Sequence, residues 1–236
     1  MQPLIVFDLD GTLADTAPDL VAALNAAIAP EGLRPVALDE ARSMVGAGAR
    51  TLITRAYAAQ DRLLDPAKLE ALFRAFLAYY EVHIADGTRL FPGVVAALDR
   101  LESQGFAFAV CTNKMEHASR LLLDALRVSD RFRAICGQDT FGVSKPDPRV
   151  LLQTIERAGG AVADGVMVGD SGVDIATAKA AGVPVVAVDF GYTDRPVAEF
   201  GPDWIISRFD DLDAAVAALR RSGRGDYAKT GASSSA

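Results

Sequence analysis

A doubly wound α/β fold, with a parallel sheet in the Rossmann-like manner, is predicted by three features of the chain. Short apolar runs at Leu4–Phe7, 106–111, 134–136, 166–168, Val185–Val188 and Trp204–Ile206 lack in/out alternation, as expected of strands covered on both faces. Helical stripes lie between them: Val94, Ala97, Leu98 and Leu101 follow Pro92, while Leu121, Leu122, Ala125 and Leu126 form another. The gap between the first two runs is far longer than a crossover requires. It is rich in Ala and Leu, with stripes such as Leu20, Ala23, Leu24, Ala27 and Leu69, Leu72, Phe73, Phe76. The expected organisation is a core of residues 1–15 plus 91–221 and an inserted helical cap at 16–90 that returns at Phe91-Pro92-Gly93. Residues 222–236, with Gly223, Gly225, Gly231 and a run of serines, read as a disordered tail.

Half of the 236 residues are hydrophobic and the net charge is −7. That composition supports a sizeable core, and the charge disfavours nucleic acid or an anionic membrane as partner. No stretch approaches the roughly 18 apolar residues of a membrane span, and the chain enters a strand with no leader-like segment before it. A cytoplasmic location is expected, as a monomer or a dimer. Cys111 and Cys136 sit in apolar runs and read as core thiols. His83 and His117 have no companion at ligand spacing, so structural or surface roles are expected of them.

The chemistry gathers where apolar runs end. The first stops in Asp8-Leu9-Asp10-Gly11-Thr12, and alternate strand residues point the same way, so Asp8 and Asp10 lean toward one spot. Gly11 lets the backbone turn there and a ligand approach. Two acids in one site repel each other, and a divalent cation or a retained proton must relieve them. Three other runs end in complementary groups: Thr112-Asn113-Lys114, the stretch leading to Lys145-Pro146, and Gly169-Asp170 with Asp174 four residues on. In open parallel sheets ligands lie beyond the carboxyl ends of the strands, so these endings are expected to form one site. A cap entered and left beside that site is placed to act as a lid.

In this order and spacing, the Asp-x-Asp-Gly-Thr start, the Thr after a strand, the Lys-Pro before a helix and the Gly-Asp-x-x-x-Asp resemble the haloacid dehalogenase superfamily over nearly the whole chain, to about Leu219. The insertion after the first motif, together with Val45-Gly46-Ala47-Gly48-Ala49-Arg50, Thr112-Asn113-Lys114 and Phe190-Gly191-Tyr192, is similar to the phosphoglycolate phosphatase branch; Met115 stands where that branch often has Pro. The resemblance and the residue types together imply a two-step phosphomonoester hydrolysis. Asp8 attacks phosphorus to form an aspartyl phosphate. Asp10, carrying a proton favoured by negative neighbours, protonates the departing alkoxide and then activates water. Mg²⁺ is implied at Asp8, the carbonyl of Asp10 and Asp170, with Asp174 either holding a metal-bound water or bracing Lys145. Thr112, Lys145 and the amides of Gly11, Thr12 and Asn113 are implied to bind the transferring group.

For specificity, Gly46 and Gly48 could offer amides to a small anion and Arg50 a bidentate partner for a carboxylate. A two-carbon phosphate acid, 2-phosphoglycolate, fits that set. An ordinary turn with Arg50 facing solvent is the competing reading. Other readings on the same core are another small-metabolite phosphatase, a sugar-phosphate mutase, a dehalogenase, a phosphonate hydrolase, for which Lys68 is the only lysine in the insert, and a phospholigand-binding scaffold without activity.

Overall fold

The computed structural model describes residues 2–230 apart from Ser43, Ala47 and Asp194, with the backbone alone described at Arg42 and over 222–230. The chain opens with strand β1 (Leu4–Phe7) and, after a tight turn, the short strand β2 (Ala14–Asp15). Helices α1 (Ala17–Ile28), α2 (Leu38–Arg42), α3 (Ala49–Ala58) and α4 (Pro66–Val82) precede strand β3 (Arg89–Leu90). Then come α5 (Val94–Ser103), β4 (Ala107–Cys111), α6 (Glu116–Ala125), β5 (Phe132–Cys136), α7 (Pro148–Arg157), β6 (Gly165–Gly169), α8 (Gly172–Ala181), β7 (Val185–Val188), β8 (Trp204–Ile206) and α9 (Leu212–Thr230).

Six strands form one parallel sheet in the order β5-β4-β1-β6-β7-β8. Every residue of β1 is buried, because alternate side chains serve opposite layers. Ile5 and Phe7 join α5, α6 and α9 in one cluster, while Leu4 and Val6 join α7 and α8 in the other. The chain runs outward from β1 through β4 to β5 and returns to β6 on the other side. That reversal opens a crevice beyond the carboxyl ends of β1, β4 and β6.

The insert packs α1, α3 and α4 around its own apolar centre, with Leu24, Ile53, Tyr57, Phe73 and Phe76 among its buried side chains. Local chemistry starts α4 cleanly: the Asp65 carboxylate accepts the Lys68 amide at 2.9 Å and Pro66 occupies the first turn. β2 and β3 pair antiparallel, Ala14 with Leu90 and Asp15 with Arg89, tying the way out of the core to the way back. Buried Asp19 adds a clasp, accepting the amides of Gly87 and Thr88 at 2.8 Å each and the Thr88 hydroxyl at 2.7 Å.

Several details differ from sequence expectation. The buried side of α6 is Ala118, Ser119, Leu122 and Leu123, so the stripe is turned away from Leu121 and Ala125; a run of three leucines leaves the phase of a helical stripe undetermined until the sheet selects a face. β5 begins at Phe132, ahead of the expected 134, since exposed Arg133 interrupts the apolar run without interrupting the strand. α9 spans Leu212–Thr230, past residue 221, where the core was expected to end. Gly223 and Gly225 each cost about 1 kcal/mol in a helix without forbidding it; residues 231–236 lie outside the described residues. Cys111 and Cys136 are buried, free and opposite one another on β4 and β5. Among the described residues no helix is long and apolar enough to cross a membrane.

Candidate active site

The floor of the crevice is made by strand ends. Asp8 follows β1 directly, its amide donating to Val168 O at 2.9 Å, which locks it beside the end of β6. Lys145, from the loop before α7, places its buried ammonium 2.9 Å from Asp8 Oδ1 and 2.5 Å from Asp174 Oδ1. Asp174 is fixed at the start of α8 by a reciprocal capping box, its second oxygen accepting the Ser171 amide at 3.1 Å and hydroxyl at 2.6 Å. Asp170 accepts the Thr12 hydroxyl at 3.0 Å and the Tyr192 amide at 2.6 Å. One oxygen from each of Asp8, Asp170 and Asp174 lies within 4.8 Å of the others, and all three residues are buried.

Three buried carboxylates against one ammonium leave two negative charges uncompensated, the charge of one divalent cation. The titration directions agree. Burial pushes Asp8 up to about 6 despite the opposing pull of Lys145, with Asp174 and Asp10 adding to the rise. Burial, then the Asp174 and Asp8 charges, raise Asp170 well above the usual carboxylate range. Burial also works against the Lys145 ammonium, but Asp174 and Asp8 outweigh it and its pKa rises. Asp8 Oδ1 is buried without a hydrogen bond of good geometry, although Lys145 lies at ion-pair distance. An orphaned carboxylate oxygen within an all-oxygen donor set is what a hard divalent ion such as Mg²⁺ binds.

Backbone closeness keeps the set tight. A β-carbon at Gly11, where φ is +84°, would lie 2.3 Å from Asp170 Oδ2, and one at Gly191 would lie 2.2 Å from Asp170 Cβ. The Gly11 amide donates to Ala14 O at 2.9 Å and the Thr12 amide to Leu9 O at 3.4 Å. These two amides close the turn instead of facing a phosphoryl group, which corrects the expectation for them; the Thr12 hydroxyl serves Asp170 instead. Buried Thr112 ends β4 with its amide on Cys136 O at 3.0 Å. The Asn113 side chain brackets Lys145, accepting its amide at 3.0 Å and donating to its carbonyl at 3.2 Å.

Asp10 faces the cap. Its two oxygens lie 2.9 and 3.0 Å from Lys114 Nζ, so the expected negative surroundings are replaced by an ion pair with a buried ammonium. Its side chain stands outside the three-carboxylate cluster, leaving only its carbonyl for a metal. Above it a pocket of about 40 Å³ is bounded by Gly46, Gly48 and Ala49 of the cap, by Phe73, Phe76 and Tyr80 of α4, and by Lys114 and Met115 of the core. Arg50 is not among its walls: it pairs bidentately with Glu70 at 2.7 and 2.9 Å and stacks on Phe73. Ala47 lies outside the described residues. Lys68 pairs with Glu31 at 2.6 Å, away from the pocket, and His83 pairs with Asp86 while His117 is exposed.

The sequence model of the haloacid dehalogenase-like hydrolase family matches residues 5–188. The chain belongs to the haloacid dehalogenase-like hydrolases. It lies in their phosphoglycolate phosphatase-like branch and is a phosphatase. It is 53% identical over 218 residues to a phosphoglycolate phosphatase from Mesorhizobium japonicum, covering 92% of this chain and 95% of that protein. A phosphoglycolate phosphatase from Agrobacterium fabrum is 45% identical over 216 residues, with 92% and 93% covered. Among solved structures, a predicted phosphoglycolate phosphatase from Haemophilus somnus superposes with a TM-score of 0.84 at 31% identity, over 91% of this chain and 97% of that one.

Within this haloacid dehalogenase-like hydrolase, the residues anticipated from strand endings come together: Asp8, Lys145, Asp170 and Asp174 in direct contact or within one cluster, Asp10 beside them, and Gly46 and Gly48 on the pocket wall. Three side chains of the site carry no signal of their role in the sequence: Lys114 lies within its triplet, Tyr192 within an aromatic-glycine stretch, and Tyr80 on the apolar stripe of α4. Tyr192 ties the two halves together: its amide binds Asp170, and its hydroxyl donates to Asp15 and accepts the Ala17 amide at 2.9 Å.

Proposed function

We propose that this phosphatase hydrolyses 2-phosphoglycolate to glycolate and phosphate in two steps, with Asp8 as nucleophile and Mg²⁺ as cofactor. The observation that carries the reading is the convergence of Asp8, Asp170, Asp174 and Lys145 into one buried cluster whose charge calls for a divalent cation. Asp8, Asp170 and the Asp10 carbonyl would hold the ion, which when bound supplies charge neutralisation for an approaching dianion.

The remaining work falls to the chain itself. The Asp8 carboxylate attacks phosphorus; the bond to the ester oxygen breaks as the aspartyl phosphate forms. Lys145 and Thr112, with the Asn113 amide, which has no acceptor among the described residues, stabilise the transferring group. Asp10 gives a proton to the departing alkoxide and takes one from the water that opens the intermediate. The Asp174 carboxylate braces Lys145 and the Asn113 side chain holds its loop, so these two side chains position the Lys145 ammonium. The names of the relatives support the substrate.

The test is a comparison of kcat/KM across 2-phosphoglycolate, hexose phosphates, nucleoside monophosphates and pyrophosphate with Mg²⁺ present. Phosphoglycolate is expected to lead by about tenfold or more, a gap of the size that one well-placed polar contact supplies. A hexose phosphate turned over as efficiently would overturn the substrate assignment.

A further inference from the structure

We infer that Lys114, the Tyr80 hydroxyl and the amino end of α3 form a carboxylate subsite, separate from the phosphoryl site, that holds the non-reacting end of the substrate. The inference rests on the reading of the chain as a phosphatase of a short phosphorylated acid, and it names the residues that recognise the acid.

Arg50, the sequence candidate for this role, is engaged with Glu70 and lies off the pocket. The pocket nevertheless contains a cation. Lys114 is buried, belongs to the loop that follows β4, and lies 4.7 Å from the centre of the Tyr80 ring. Tyr80 is 1% exposed; its hydroxyl feels the Lys114 ammonium, which can only donate, and makes no hydrogen bond of good geometry among the described residues, so its own proton has no acceptor. A buried hydroxyl left unpaired costs roughly 1–3 kcal/mol, a cost removed when an acceptor enters. The third wall is the start of α3, a ten-residue helix whose N-cap is Gly48, so no side chain caps its first amides. Gly48 and Ala49 line the same pocket. Ammonium, hydroxyl and helix amino end are all suited to an anion; the remaining walls include the Asp10 carboxylate that now holds Lys114, the Gln138 amide, and apolar Leu20, Phe76 and Leu77.

Chain length supports a carboxylate one carbon from the ester oxygen. Asp10 must reach that oxygen to protonate it, and Lys114 lies within 3.0 Å of both Asp10 carboxylate oxygens. A carboxylate on the carbon that bears the ester oxygen therefore falls beside Lys114. On binding it takes the ammonium from Asp10. A phosphate ester without that carboxylate has nothing to make the exchange.

The experiment compares kcat/KM for 2-phosphoglycolate and for 2-hydroxyethyl phosphate, equal in length but without the carboxylate, in the wild type, Lys114→Met, Lys114→Arg and Tyr80→Phe. The wild type is expected to prefer the acid. Lys114→Met should cut that preference about a hundredfold, Lys114→Arg should restore part of it, and Tyr80→Phe, which removes only the hydroxyl, should cut it about fivefold. Inhibition by glycolate should weaken in parallel. A wild-type preference retained in both Lys114→Met and Tyr80→Phe overturns the subsite and spares the substrate reading; no preference in the wild type overturns both. If Lys114→Met does not fold, Tyr80→Phe and the glycolate measurement still decide.

Discussion

Asp8 lies between one ammonium and two other acids, and its behaviour follows from that company. Asn in its place keeps the shape and deletes both the nucleophile and a buried charge. Asp8→Asn should therefore lower Mg²⁺-dependent phosphate release by about a thousandfold or more, while the metal-free protein melts no lower than the wild type because a desolvated charge has gone. Appreciable residual turnover would remove Asp8 from the nucleophile's role. Gly11→Ala tests the packing beneath it: the new methyl would meet Asp170 Oδ2 at 2.3 Å in a backbone conformation that suits glycine. Loss of about tenfold or more in Mg²⁺ affinity is expected, measured by calorimetry, and unchanged affinity would contradict the tight fit. At this scale the sequence was legible where polar residues ended apolar runs, since a strand end fixes where a side chain goes. The partners of Lys114 and Arg50 were not, because each is chosen by a neighbour outside its own segment: Asp10 for Lys114, Glu70 for Arg50.

Between the core and the cap, the connection is two short strands and one clasp. Asp19 on α1 holds Gly87 and Thr88 through three hydrogen bonds, so Asp19→Ala leaves two amides and a hydroxyl without their acceptor. A loss of roughly 3 kcal/mol is expected, about 10 °C in Tm. A change below about 2 °C would show that the clasp carries little. Tyr192→Phe loses the bonds to Asp15 and to the Ala17 amide while keeping the Tyr192 amide on Asp170. It should change KM and kcat together, as hinge variants do, with metal affinity unchanged; altered Mg²⁺ binding would contradict the separation of those two roles. Strands of uniform burial and helices with clear stripes were readable as elements. The face of α6 was not, because a leucine-rich segment offers several equivalent stripes, and neither was the strap, whose two-residue strands are too short to leave a periodicity.

The whole molecule is organised around a concentration of negative charge that folding buries. In the metal-free protein Asp8 rises to about 6 from an unfolded value near 4, and Asp170 shifts in the same direction. A carboxyl raised on folding gives stability that is present below its unfolded pKa and is lost as pH rises through the folded value. Through Asp8 alone, metal-free protein should therefore lose roughly 3 kcal/mol of stability between about pH 4 and pH 6. Mg²⁺ should restore it above that window, raising Tm more at pH 7.5 than at pH 5; an equal shift at both pH values would contradict the coupling. The parallel sheet and its insertion were legible from the spacing of apolar runs. The strand order, with β1 between β4 and β6, was not, since long-range pairing leaves no local trace, yet that order is what brings Asp8, Lys145 and Asp170 together. The central claim is that this meeting point makes Asp8 the phosphoryl acceptor. Acid-quenched single turnovers with 2-phosphoglycolate and Mg²⁺, followed by peptide mass analysis, test it most directly: a phosphoryl group is expected on Asp8 of the wild type and on no residue of Asp8→Asn, and a phosphoryl group found on any other residue, or turnover by Asp8→Asn at the wild-type rate, would contradict it.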